Sequence, residues 1–250
     1  MSRILGSVPY MNARPLLAAI PAEFEVREAP PAELAERFAR GEFEAALLPI
    51  VDAFRTPGAR VVAGVAIAAR GEVLSVRLFL DKPLAQAQTI ARDPASHTSN
   101  ALFEILAGLK WNRALPPPAP GERPDGRLLI GDAALRALGT ANEEVDLAAE
   151  WCAWTGLPFV FAAWVTSAPR PGLAQALQSS AKAGLARREE IADAESARLG
   201  LKRELGRHYL REAIRYELGP EERRGAELFW RHAAALQLAP PAGPLRLLGA

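Results

Sequence analysis

Apolar positions along this chain alternate between strand-length runs and helical spacing. Residues 3–8 and 43–49 are short apolar runs, and residues 24–28 form a further strand candidate. Between them, Leu34 and Phe38 fall one helical turn apart among charged residues of a segment that begins at Pro31 and stops at Gly41. Residues 12–20 read as a turn and helix after the first strand. Strand, helix and strand in this order predict a parallel sheet covered by helices, an α/β fold. Residues 61–69 and 73–80 have the β-branched content of two strands joined across Arg70-Gly71-Glu72.

After Asp81-Lys82-Pro83 the pattern weakens, because Pro83 forces extended geometry on its predecessor, and a crossover is expected there. A short strand at 89–92 feeds a helix at 96–109, and the proline-rich run 116–121 reads as a surface connection. Residues 128–130 predict another buried strand, followed by a helix over 133–138. Residues 146–155 suggest a helix stopped by Gly156 and Pro158, and 159–166 a long apolar strand able to return the chain to the first lobe. Beyond Pro171 the Ala, Leu, Glu and Arg content is helical, and the Ala/Arg-rich stretch 181–198 reads as a solvated face without a function.

Composition acts mainly by exclusion. Of 250 residues, 50% are hydrophobic and 24% charged, a globular profile, and 30 basic residues balance 29 acidic ones. Without a basic excess, neither nucleic acid nor an anionic membrane surface is an expected partner, so any anion site must be local. The single cysteine, Cys152, excludes an internal disulfide and reads as a buried structural thiol. No apolar run reaches the length of a membrane span. The opening apolar segment resembles a secretion signal, but Pro9, Asn12, Arg14 and Pro15 interrupt it, so a cytoplasmic location is expected.

Candidate chemistry gathers after the strands. Tyr10, Asn12 and Arg14 supply a phenol, an amide and a guanidinium just beyond the first strand, where open α/β sheets bind ligands. Arg14 is suited to a carboxylate and Asn12 to donating and accepting hydrogen bonds, while Asn12 is equally suited to a turn that bonds its own backbone. In Asp93-Pro94-Ala95-Ser96-His97-Thr98-Ser99-Asn100, hydroxyls cluster at a helix start, where unpaired N–H groups attract an anion. Ordinary N-capping by Ser96, Thr98 or Ser99 explains the same spacing. Gly131-Asp132 repeats the arrangement, and Asp132 alone reads as an N-cap. Ser75 sits within a strand, with either the cleft or solvent before it. His97 is either an acid or base at a ligand site or an exposed loop residue. His97, His208 and His232 have no HExxH spacing, and no P-loop, G-x-G-x-x-G or G-x-S-x-G occurs, so neither a metal nor a cofactor is expected.

Read in order, several strings resemble the chorismate dehydratases of menaquinone biosynthesis by the futalosine route. They are Gly6-Ser7-Val8-Pro9-Tyr10-Met11-Asn12 with Pro15-Leu16, then Ser75-Val76-Arg77-Leu78-Phe79, then Ser96-His97-Thr98-Ser99. Leu128-Leu129-Ile130-Gly131-Asp132-Ala133-Ala134-Leu135, Asp146-Leu147, Trp151 and Thr155-Gly156-Leu157-Pro158-Phe159-Val160-Phe161-Ala162 complete the set. The resemblance covers most of the first 170 residues. It implies a two-lobed periplasmic-binding-protein type II fold, each lobe a mixed sheet flanked by helices, with the ligand in the cleft. Together with the prolines, it sets expected lobes of residues 1–83 with 169–250, and of 84–168.

By the same resemblance the reaction is loss of water from chorismate, giving 3-[(1-carboxyvinyl)oxy]benzoate. Asn12 and Ser75 are implied to lie nearest the reacting ring, and Thr98 and Ser99 to bind carboxylate. Tyr10, Arg14, Ser96 and His97, with Gly131 and Asp132, are the further candidate substrate contacts. The chain departs from the family pattern at His97, where arginine is usual, at Arg14, and at Ile50, where a hydroxyl residue is common. Two other functions fit the fold: a sister enzyme making 1,4-dihydroxy-6-naphthoate, and a non-catalytic receptor for a small carboxylate.

Overall fold

The structure is a computed structural model that describes residues 3–249. The first part of the chain contains β1 (Arg3–Ser7), a 3-10 turn at Met11–Ala13, α1 (Arg14–Leu17), β2 (Phe24–Glu28) and α2 (Pro31–Ala39). It continues through β3 (Ala45–Pro49), α3 (Ile50–Arg55) and β4 (Arg60–Ala69). The middle comprises β5 (Val76–Leu80), β6 (Ile90–Ala91), α4 (His97–Ile105) running into a π-helical turn, β7 (Gly126–Ile130), α5 (Gly131–Ala137) and β8 (Glu143–Asp146). After α6 (Leu147–Thr155) and β9 (Phe159–Thr166) come α7 (Leu173–Ala186), α8 (Arg188–Leu199), α9 (Arg203–His208), α10 (Pro220–Ala235) and β10 (Leu247–Leu248).

Two sheets organise these elements. A six-stranded sheet runs β10-β4-β9-β3-β1-β2, and a four-stranded sheet runs β6-β7-β5-β8. In the larger sheet β1 pairs parallel with β2 and β3, whereas β9 is antiparallel to both β3 and β4. Every residue of β3 is buried and β9 is nearly so, which is why both read as unbroken apolar runs rather than alternating ones. The smaller sheet is mixed as well, with β5 antiparallel to β7 and β8 and β6 parallel to β7.

Local sequence fixes the helix ends. Asp146 caps α6 by accepting from the Ala148 and Ala149 N–H groups, and Gly156 ends it in a left-handed conformation with φ 72°. Trp151 of α6 meets Phe159 of β9 edge-on at 5.4 Å, and Phe159 meets Phe229 of α10 at 5.0 Å. This aromatic run ties the return crossover to the C-terminal helix. Among the described residues no helix is long and apolar enough to cross a membrane. Cys152 is half-buried rather than buried; its thiol donates to the Ala69 carbonyl at 3.8 Å, and burial pushes its pKa up.

The chain first changes sheet at a place the sequence did not suggest. Residues 73–80 do not form a hairpin with 61–69: β4 belongs to the larger sheet and β5 to the smaller. The first crossing is therefore residues 70–75, ahead of Pro83, which instead opens the 3-10 turn Leu84–Gln86. The return is made between β8 and β9, so 159–166 lies in the larger sheet as its apolar run suggested, not with 84–168. By sheet membership, β5 leaves the first expected lobe and β9 leaves the second. An apolar strand buried in either sheet has the same composition, and a proline records a turn without recording what it separates.

Candidate active site

Between the sheets lies a cavity of about 560 Å³, part of it open to solvent. Its polar wall is made by Tyr10, Asn12, Ser75, Ser96, Thr98 and Ser99, while Val8, Ile67, Ile130 and Phe161 contribute apolar surface. The lining thus draws on the ends of β1, β4, β7 and β9, the first crossover and the start of α4. Among the described residues that line it there is no carboxylate, imidazole, ammonium or guanidinium. Burial, with Asp93 and Asp132 adding to it, pushes the Tyr10 phenol up to about 12, so Tyr10 remains a hydrogen-bond donor.

Ser75 is presented by strained backbone. Leu74 before it has φ 63°, a left-handed conformation that costs a non-glycine residue roughly 1–3 kcal/mol. Its N–H is held at 2.8 Å by Asp146, which also accepts from Val73 N–H at 3.0 Å and from Arg77 Nε at 3.2 Å. Beyond it, the Ser75 carbonyl accepts from the Gly131 N–H at 2.7 Å. The Tyr209 hydroxyl donates to Ser75 Oγ at 2.8 Å, and Tyr216 donates to the Asn12 carbonyl at 3.0 Å. Asn12 Oδ1 is buried with no partner within the protein, an acceptor awaiting a donor at the cavity wall.

At the start of α4, Ser96 is the N-cap and its Oγ accepts from the Ser99 N–H at 3.3 Å. Thr98 Oγ1 accepts from the Val51 N–H at 3.2 Å. Each of these hydroxyls uses acceptor capacity within the protein and keeps its proton for another acceptor. The His97 and Thr98 N–H groups, in the first turn of the helix, have no intrahelical acceptor. Capping and anion binding, open alternatives in the sequence, are compatible here.

Other expected contacts are directed elsewhere. Arg14 pairs with Glu28, lies 3.7 Å from Glu195 and donates to the Pro9 carbonyl at 3.1 Å, so its charge is satisfied away from the cavity. His97 turns its Nδ1 to Asp52, 2.9 Å from Oδ2, and that carboxylate raises its pKa against the opposing effect of burial. Asp132 does not cap α5, which begins at Gly131; its carboxylate accepts from the Met11 N–H at 3.0 Å and lies 3.3 Å from Arg198. Gly131 lines the cavity with φ +57°, and a Cβ there would sit 3.0 Å from the Tyr10 ring. Ile50 is fully buried at the head of α3.

The pairs His97 with Asp52, Thr98 with Val51, Asp132 with Met11 and Gly131 with Tyr10 share one geometry. Asp52, Val51, Met11 and Tyr10 follow strands of the larger sheet, whereas His97, Thr98, Asp132 and Gly131 follow strands of the smaller one. Contacts at the lining and just outside it thus fasten the two halves of the cleft. Sequence reading missed Asp52, Tyr209 and Tyr216. An acid inside the apolar run Ile50-Val51-Asp52-Ala53-Phe54 was a usable signal for the first. The two tyrosines lie in a helical tail, with nothing local to distinguish them from core residues.

A cleft between two sheet-centred lobes, crossed twice by the chain, defines a periplasmic-binding-protein-like α/β protein. A solved protein from Archaeoglobus fulgidus superposes with a TM-score of 0.73 at 15% identity, covering 94% of this chain and 97% of that one. The MOPS-bound alkanesulfonate-binding protein SsuA from Xanthomonas axonopodis gives a TM-score of 0.65 at 15% identity, with coverage of 98% and 96%. The chain belongs to the menaquinone-biosynthesis family, whose model matches residues 4–235. A chorismate dehydratase from Thermus thermophilus is 33% identical over 95% of this chain and 97% of the relative. Another from Campylobacter jejuni is 28% identical over 94% of this chain and 100% of the relative.

Proposed function

We propose that the chain is a hydro-lyase that dehydrates chorismate to 3-[(1-carboxyvinyl)oxy]benzoate, in the cytoplasm and on the futalosine route. The names of its two relatives motivate the substrate, and the observation that carries the reading is the cavity wall itself. That wall offers hydroxyls, an amide and apolar surface, with no titrating acid or base other than a phenol held near 12. Such a wall suits a substrate that brings its own charges and needs little chemistry done to it.

In the reaction, the ring carbon bearing the enolpyruvyl ether loses a proton and its neighbour loses hydroxide, which together leave as water. Aromatisation of the ring supplies the driving force. With no side-chain base at the wall, the proton is assigned to a carboxylate of the substrate, made effective by proximity. Asn12 Oδ1 is suited to accept from the ring hydroxyl and the Ser75 hydroxyl to donate to the departing oxygen, where negative charge develops. Hydroxyls and N–H groups at the start of α4 are suited to a carboxylate, with Tyr10 as a further donor.

The test is incubation of purified protein with chorismate while following an aromatic product lighter by one water. Steady formation of that product is the expected result. Saturable binding without turnover would replace the proposal with a carboxylate receptor. Absence of both binding and turnover would remove chorismate as the ligand.

A further inference from the structure

We infer that Tyr209 is a positioning residue for the dehydration: its phenol occupies the acceptor side of Ser75 and turns the serine proton into the cavity. The inference rests on the dehydratase reading and goes beyond it, since Tyr209 does not itself line the cavity. Its hydroxyl donates to Ser75 Oγ at 2.8 Å, and the residue is 1% exposed, so water does not compete for that bond. A serine hydroxyl has one proton. With Tyr209 donating to the oxygen, the proton of Ser75 must be directed elsewhere, and Ser75, unlike Tyr209, lines the cavity.

The surroundings hold this arrangement rigidly. Tyr209 begins a π-helical turn at Tyr209–Ala213, an irregularity that redirects the helix after α9 and is common near functional sites. The bridge between Ala68 and Arg215 fastens the following segment to β4. On the other side, the strained Leu74 and the Asp146 carboxylate fix the backbone of Ser75. Burial pushes the Tyr209 phenol above its ordinary range, and the Asp132 and Asp146 carboxylates add to the rise. Tyr209 therefore stays protonated, and so remains a donor, throughout the neutral range. A donor behind Ser75 also polarises it, strengthening the bond that Ser75 makes to an oxygen gaining negative charge.

The experiment compares wild type, Tyr209→Phe, Ser75→Ala and the double variant by kcat and KM for chorismate. Rates are normalised to the fraction of protein that binds the reaction product, so that partial misfolding does not imitate lost chemistry. Tyr209→Phe is expected to lower kcat about 10- to 100-fold, the range for a bond to a charge-developing group, with KM nearly unchanged. In the double variant the loss should not exceed that of Ser75→Ala alone, because Tyr209 acts through Ser75. Normal kcat in Tyr209→Phe, or losses that multiply in the double variant, would overturn the inference while leaving the dehydratase reading intact. Failure of wild type to turn over chorismate would overturn both.

Discussion

At the scale of single residues, hydrogen-bond direction separates the roles in the cleft. Thr98 and Ser96 spend acceptor capacity on the Val51 and Ser99 N–H groups and so present protons to a ligand. Asn12 presents a bare carbonyl oxygen instead. A carboxylate exists equally in the bound substrate and the transition state, whereas the orientation of the ring hydroxyl counts chiefly as that hydroxyl departs. Thr98→Ala should therefore raise KM for chorismate and leave kcat nearly intact. Asn12→Ala should leave KM near normal and lower kcat about a hundredfold, the scale typical of losing the orientation of a reacting group. Steady-state kinetics on both variants check this, and normal kcat in Asn12→Ala would reduce Asn12 to a turn residue. Residue types were legible here because hydroxyls after a strand suit an anion. Side-chain direction was not: Arg14 has the right chemistry, but Glu28 and Glu195 hold it elsewhere.

Among the elements, the crossover between β4 and β5 carries the most consequence. Asp146 ends β8, caps α6, and accepts from Val73, Leu74 and Arg77 at once. One buried carboxylate thereby links both crossings of the chain. Removing it uncaps α6 and leaves the buried Val73 and Leu74 N–H groups without an acceptor, while Arg77 keeps Glu72 and Glu144, which together typically costs about 3–5 kcal/mol. Asp146→Ala should lose about that much unfolding free energy by denaturant titration; a loss under about 1 kcal/mol would mean solvent or neighbours replace the carboxylate. Strands β3 and β9 match their apolar patterns because burial sets both. By contrast β8, Glu143–Asp146, was missed and its last residue was read into the following helix, since an edge strand with a single valine lacks the usual pattern. Helix α3 was missed because six residues are too few to establish a helical period.

Across the whole molecule, the two lobes are drawn together by contacts at and just outside the cavity, and the one between His97 and Asp52 carries a histidine whose pKa the carboxylate raises. Arg55 of α3 lies 3.2 Å from the same carboxylate, and Glu36 adds a smaller favourable field at His97. Because the pKa of His97 is raised in the folded form, the pair is fully formed below the ordinary histidine value of about 6.5. It weakens as pH climbs through the raised value, leaving a neutral hydrogen bond. Closure should therefore loosen toward alkaline pH, whereas the chemistry should not change, since no side chain at the cavity wall titrates near neutrality. The two-lobed plan was legible from ordered motifs, but this fastening was not, because it joins residues 45 positions apart in sequence. The most direct test of the account is kcat and KM for chorismate against pH, from about 6 to 9, in wild type and His97→Asn. The account predicts a flat kcat in both proteins and a KM that rises with pH in wild type only. A kcat that bends within that range and bends again in His97→Asn would reveal a protein acid or base in the chemical step, and would contradict it.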